Sequence, residues 1–235
     1  LDLWVTFAVG LFDLFSYTIP GALHLSFFAY LAGRLHWIDL GAVGRGPVVF
    51  LVIGIVLASY LLGYLVYPLG ARAERLLPRR RPRNPREEFL RRNPAARDRA
   101  FVKADTFLLY SALKLHDAEV ATEVTRLRSA GLMLRNSSPP MAFGFAASAV
   151  ELVLGRHTLF AAGCVVLFAA AFPGLITQGR KLGYWASLKT LEFSFWIPDI
   201  DERVAVTSDV LRLPLGDSQP PGSEQQNSSN VSPPA

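Results

Sequence analysis

"PVVFLVIGIVLASYLLGYLVYPL", residues 47–69, contains no charged residue. A helix needs about 20 predominantly apolar residues to cross roughly 30 Å of hydrocarbon, so this stretch reads as a transmembrane span and decides the fold class. Three further apolar runs flank it in the chain: 14–33, 141–155 and 158–177. The first and last are long enough to cross. Residues 141–155 fall short, so this span must thin the bilayer, recruit flanking residues or turn back as a re-entrant hairpin. The sequence predicts an all-α, polytopic integral membrane protein with four transmembrane helices arranged as two hairpins, and a helical cytoplasmic segment between helices 2 and 3.

The totals agree with that pattern. Of 235 residues, 51% are hydrophobic and 18% charged, with a mean hydropathy of +0.29, whereas a soluble domain carries about 25% charged residues. The net charge is +5, and sixteen of the twenty-four Lys and Arg lie between Gly70 and Pro140 against eight Asp and Glu. Beside apolar runs, such a basic block marks the cytoplasmic side of a membrane, which disfavours nucleic acid as a partner. The heavy use of Arg over Lys is what a GC-rich bacterial genome produces. Positive charges are sparse in 34–46 and at Arg156, so both termini and 71–139 are expected in the cytoplasm of a bacterial inner (plasma) membrane, with two short loops outside. The opening residues have neither a basic start nor a cleavage site and read as part of a span, not a signal peptide. Cys164, the single cysteine, reads as a small buried hydrophobe.

Five segments follow: a first hairpin at 1–70, the basic helical segment at 71–139, a second hairpin at 140–179, a cytoplasmic or interfacial helical segment at 180–213, and a disordered tail at 214–235. In the basic segment, "NPREEFLRR" starts a helix, with Asn84 as N-cap, Pro85 at the first position and Glu87–Glu88 in the first turn. A longer helix is expected from about Pro94 to Asn136. On it Leu109, Leu113, His116, Val120, Val124, Leu127, Gly131 and Leu134 recur at spacings of three and four, an apolar stripe of the width that packs onto another helix. In "GYWASLKTLEFSFWIPDIDERV", Tyr184, Trp185 and Trp196 suit a membrane interface or a helix running on into the cytoplasm.

Polar residues in apolar runs are functional candidates by default. Asp13, His24 and Glu151 are the intramembrane set. Asp13 fits a cap near the cytoplasmic end of span one, His24 fits inter-helix hydrogen bonding, and Glu151 can pair with Arg156 by reaching toward the outer interface. Pro20–Gly21 predicts a kink. Arg79, Arg80, Arg81, Arg83 and Arg86 form a juxtamembrane cluster suited to anionic lipid headgroups. His116, Glu119 and Glu123 have the donor types of a metal site, but they equally fit a solvated helix in which Glu123 pairs with Arg126; no metal and no cofactor is expected. Gly54/Ala58, Ser59/Gly63 and Gly144/Ser148 mark faces where helices approach closely.

No phosphate-binding loop, nucleophile elbow, HExxH or paired-cysteine motif is present. The sequence therefore favours a non-enzymatic scaffold, sensor or membrane-acting effector whose cytoplasmic helix oligomerises or binds a protein partner, with membrane lipids around it. A small oligomeric channel or transporter, needing Asp13, His24 or Glu151, is the alternative. An integral-membrane enzyme acting on lipid is the second.

Overall fold

The computed structural model describes residues 3–37, 47–78, 84–155 and 158–204, with side chains from Leu14 onward. Every regular element among them is helical. Three helices are long and apolar enough to cross a membrane: within α1 (Leu3–Arg34), α2 (Val48–Leu65) and α8 (Thr158–Ser194). The chain is thus a membrane protein with a helical bundle.

α1 and α2 pack along each other, and the fit is made by the backbone. A Cβ placed on Gly21 would overlap the carbonyl of Ser59, and one on Gly63 would overlap that of Tyr17. Ser59 and Gly63 are the buried positions of α2, as the small-residue spacing predicts; without a hydrophobic force between helices in lipid, close backbone contact is what holds them. Gly54, by contrast, faces open space. Tyr17 lays its ring on Tyr64, with centroids 5.2 Å apart.

After α2 the chain breaks at Val66 and continues as α3 (Tyr67–Leu76), with Pro68 in its first turn. Asn84 caps α4 (Pro85–Arg92) as expected, its side chain accepting from the Arg86 amide at 3.0 Å. Two short 3₁₀ turns, Pro94–Ala96 and Ala100–Lys103, follow.

The single long helix expected over 94–136 is corrected to two: α5 (Thr106–His116) and α6 (Ala118–Asn136). Asp117 between them is extended (φ −147°, ψ 103°) and accepts from the amides of Glu119 and Val120. A capping Asp satisfies free N–H groups only if the chain starts a new helix there, so the local signal overrides the continuing stripe. α5 folds back on α6, with Tyr110 Oη 2.6 Å from Thr125 Oγ1. Asp105 caps α5 in the same way.

α6 passes almost directly into α7 (Ser138–Val153) through Ser137, with Pro139 and Pro140 in the first turn. Gly155, at φ +69°, turns the chain toward α8, a left-handed conformation that glycine adopts without steric cost. α8 then runs back along α7 and α6 for its whole length. Gly131 and Gly179 meet there: a Cβ on Gly131 would lie 3.0 Å from the Gly179 carbonyl.

The second half of α8 leaves the apolar bundle and becomes the centre of a helical subdomain. Leu188 and Leu191 pack with Phe89, Phe101, Leu109, Leu113, Val124 and Ile200 in one buried core. Tyr184 and Trp185 join that core's edge, and Trp196 stands exposed. Residues 180–194 thus continue α8, with their inward face in the core.

Two outcomes test this packing by thermal unfolding in mild detergent. Gly63→Val should destabilise by about 1–3 kcal/mol, since the backbones must separate, while Gly54→Val should be nearly neutral. Leu109→Ala, at a fully buried position, should cost about 2–5 kcal/mol; Lys114→Ala, at an exposed position of the same helix, should change stability by less than about 0.5 kcal/mol.

Candidate functional site

A cleft of about 630 Å³ lies between α1, α7 and α8. Its walls are mainly apolar, with Leu23, Phe27, Met141 and Phe168 among them. Helix geometry explains the opening. α1 packs against α2 and α6 and only lightly against α7, which leaves the space between α1 and the α7–α8 pair unfilled. Phe27 stacks on Phe143 across the gap at 5.4 Å, and Gly144 leaves room for the Phe168 ring.

Three polar residues close that end. Arg34 Nε donates to Glu151 Oε1 at 2.8 Å, and Tyr30 Oη donates to the same oxygen at 3.2 Å. The expected partner of Glu151, Arg156, lies outside the described residues; among the described residues Arg34, 117 positions earlier in the chain, pairs with Glu151. The two charges join α1 to α7 at the rim of an apolar space, where a pair is less screened than in open water. Cys164 also lines the cleft.

His24 is buried on the same helix. Its Nδ1 lies 2.8 Å from the Pro20 carbonyl and its ring meets Phe143 edge-on at 6.5 Å; Nε2 has no hydrogen-bond partner among the described residues. Ser16 one turn before Pro20 donates to the carbonyl of Ser129 on α6 at 3.3 Å. The side chain of Asp13 lies outside the described residues. The two described intramembrane candidates lie apart: Glu151 sits in the cleft rim and His24 in a helix contact.

A second polar cluster lies where the subdomain meets the bundle. Glu74 on α3 receives Arg180 Nε at 3.2 Å, and Arg135 Nη1 is 3.8 Å away. Arg180 also donates to the carbonyls of Glu74 and Leu77. Arg135 lies over the Tyr67 ring at 5.0 Å, a cation–π contact. Asn136 is fully buried, its amide without a protein partner, beside Gly70. Nothing in the local sequence announces this cluster, because its members come from three helices far apart in the chain.

The other sequence candidates separate. Leu109, Leu113 and Val124 are buried in the subdomain core, Val120 and Leu127 pack against it, and Leu134 is half-buried; His116 is exposed at the end of α5. The stripe is thus consumed largely within its own chain. His116 ends one helix while Glu119 and Glu123 belong to the next, and no group of three His, Cys, Asp or Glu among the described residues could hold a metal. Glu123 pairs with Arg126 at 2.9 Å. Of the arginine cluster, Arg79, Arg80, Arg81 and Arg83 lie outside the described residues; Arg86 donates to the Ala104 carbonyl at 2.6 Å and so braces the subdomain. Hydrogen bonds first from Arg91 and then from Arg92 hold the exposed Glu88 carboxyl below its ordinary range.

The Glu74 cluster makes its own forecast. Glu74→Ala leaves two part-buried guanidinium groups without their carboxylate, a loss of about 1–3 kcal/mol. Combining it with Arg180→Ala should be non-additive by about 0.5–3 kcal/mol in thermal unfolding; simple additivity would show the contact to be idle.

Comparison with known proteins returns no relative: no protein-family description, no curated protein and no solved structure matches the chain.

Proposed function

We propose that the chain is a non-enzymatic multi-pass protein of the bacterial inner membrane, a sensor or scaffold in which four spans carry a folded cytoplasmic subdomain. The spans are α1, α2, α7 and the first part of α8, paired as two hairpins. At sixteen residues α7 is short for a crossing, about 24 Å at 1.5 Å per residue; the last turn of α6, nearly continuous with it, supplies the missing length. The positive-inside rule then puts the termini and the subdomain in the cytoplasm and the Arg34–Glu151 rim at the outer face.

The observation that carries the sensor reading is α8. One helix of 37 residues lines the cleft with Ala161 and Cys164 and supplies Leu188 and Leu191 to the subdomain core. Because packed helices move as rigid units with discrete arrangements, whatever changes the cleft is transmitted along α8 to the cytoplasmic helices. With most of the stripe buried at home, a second copy or protein partner would meet the outward face of α5. There Phe107 and Leu115 are 68% and 89% exposed, large apolar side chains away from the apolar bundle.

Reporter fusions test the topology: a periplasm-active reporter should be silent at Arg86 and Pro220 and active at Gly41 and His157. Activity at Arg86 overturns the orientation. The association is tested by the mass of the intact complex from native membranes. An assembly larger than one chain is expected, and Leu115→Glu should dissociate it while the spans still insert. A monomer in both forms rules out self-association on this face, and a scaffold role then requires a different protein on it.

A further inference from the structure

The cleft has the depth of one leaflet. From Arg34 at its rim to Leu23 at its inner limit is eleven residues of α1, and from Glu151 to Pro140 is eleven residues of α7. Both are about 16 Å of helix at 1.5 Å per residue, against roughly 15 Å for half of a 30 Å hydrocarbon core. Its volume of about 630 Å³ falls within the roughly 300–1,000 Å³ of sites that hold drug-sized ligands. Its wall is apolar along that depth, and its polar groups are gathered at one end. A molecule that fits must be a long apolar body of one-leaflet length with a polar head.

The head is specified by the rim. Arg34 and Glu151 both line the cleft, with 39% and 22% of their side chains exposed, so a cation and a carboxylate are presented side by side. Arg34 spends its Nε on Glu151, and the guanidinium has further N–H groups suited to a phosphate's oxygens. The Glu151 carboxylate suits an ammonium and repels a second anion. Among the described residues the rim's charges sum to zero, which matches a zwitterionic head.

We propose that this cleft is a binding site for one zwitterionic glycerophospholipid of the outer leaflet, with its phosphate on Arg34, its ammonium on Glu151 and an acyl chain between α1, α7 and α8. The leaflet assignment rests on the topology proposed above; the binding itself rests on the cleft. Occupancy holds α1 apart from the α7–α8 hairpin, so the lipid is the natural input to a helix that ends in the cytoplasmic core.

The full chain, placed in nanodiscs of equal phosphatidylethanolamine and phosphatidylglycerol and then extracted into mild detergent, should retain about one phosphatidylethanolamine per chain by native mass spectrometry. Arg34→Gln should cut that retention tenfold or more. Glu151→Gln should erase the preference over phosphatidylglycerol. Ala147→Phe, which fills the wall, should abolish retention of either lipid. Thermal midpoints of all three variants verify that they are folded, and Ala147→Ser, which keeps the space, should bind normally if Ala147→Phe does not fold. Glycerophosphoethanolamine, which has the head without the chains, should not displace the lipid. The proposal is overturned by retention at detergent background, by retention unchanged in folded Arg34→Gln, by preference for phosphatidylglycerol in the wild-type chain, or by displacement with the chainless head. If lipid is retained as expected but a reporter at His157 is silent, the site stands and the orientation fails; if the reporters agree and no lipid is held, the site alone fails.

Discussion

Two environments meet on a single helix. α8 is 37 residues long, about 55 Å at 1.5 Å per residue, nearly twice the roughly 30 Å of a hydrocarbon core. Its first half has little to bury against except α7, and exposes Leu159, Phe160, Val166 and Leu167; its second half buries Ala186, Leu188, Thr190, Leu191 and Ser194. The rest of the chain is arranged around that change. α7 and α6 follow α8 across it, α4 and α5 gather on its second half, and α1 leans on α6. Hydrophobic burial drives the packing of the subdomain. In the bundle that force is absent, and close backbone approach between small residues takes its place.

The crossing point itself is polar. Gly131 and Gly179 bring two backbones together, and Glu74 lies between two arginines just beside them. A carboxylate shared by Arg135 and Arg180 leaves one positive charge over. Part of Arg135 rests on Tyr67, while its Nε and Nη2 have no protein partner. Buried polar groups without full partners are costly, and together with the amide of Asn136 they make this the least settled part of an otherwise apolar contact.

Hydropathy made the spans legible because length and lack of charge are properties of a continuous stretch. The Ser59/Gly63 face was legible for the same reason: both residues lie one turn apart on one helix. Asn84–Pro85 reads as a helix start, and by the same logic Asp117 is one too, with Glu119 in its first turn. The three-and-four spacing masks that second signal, because a stripe continues in register across a capped break of one residue. The pairing of Glu151 was not legible at all. Arg156 is a short-range candidate that lies outside the described residues, whereas Arg34 becomes a neighbour only after α1 is laid against α7. The cleft was equally hidden, since its lining comes from α1, α7 and α8, which meet only in the folded chain, and no residue in it is unusual by itself.

α2 touches the rest of the protein through a very narrow line. In an 18-residue helix, Ser59 and Gly63 are the buried positions, and Val48, Val49, Phe50, Leu61, Tyr64 and Leu65 are all widely exposed. Around most of its circumference the only demand on a side chain is that it be apolar. Leu, Ile, Val and Phe meet that demand about equally at those positions, so drift among them is nearly free. The two small residues are held fixed, because any larger side chain would push two backbones apart. Over evolutionary time such a helix forgets its letters while keeping its shape, and kinship among chains built this way would survive in the spacing of two small residues long after it had faded from the rest of the span.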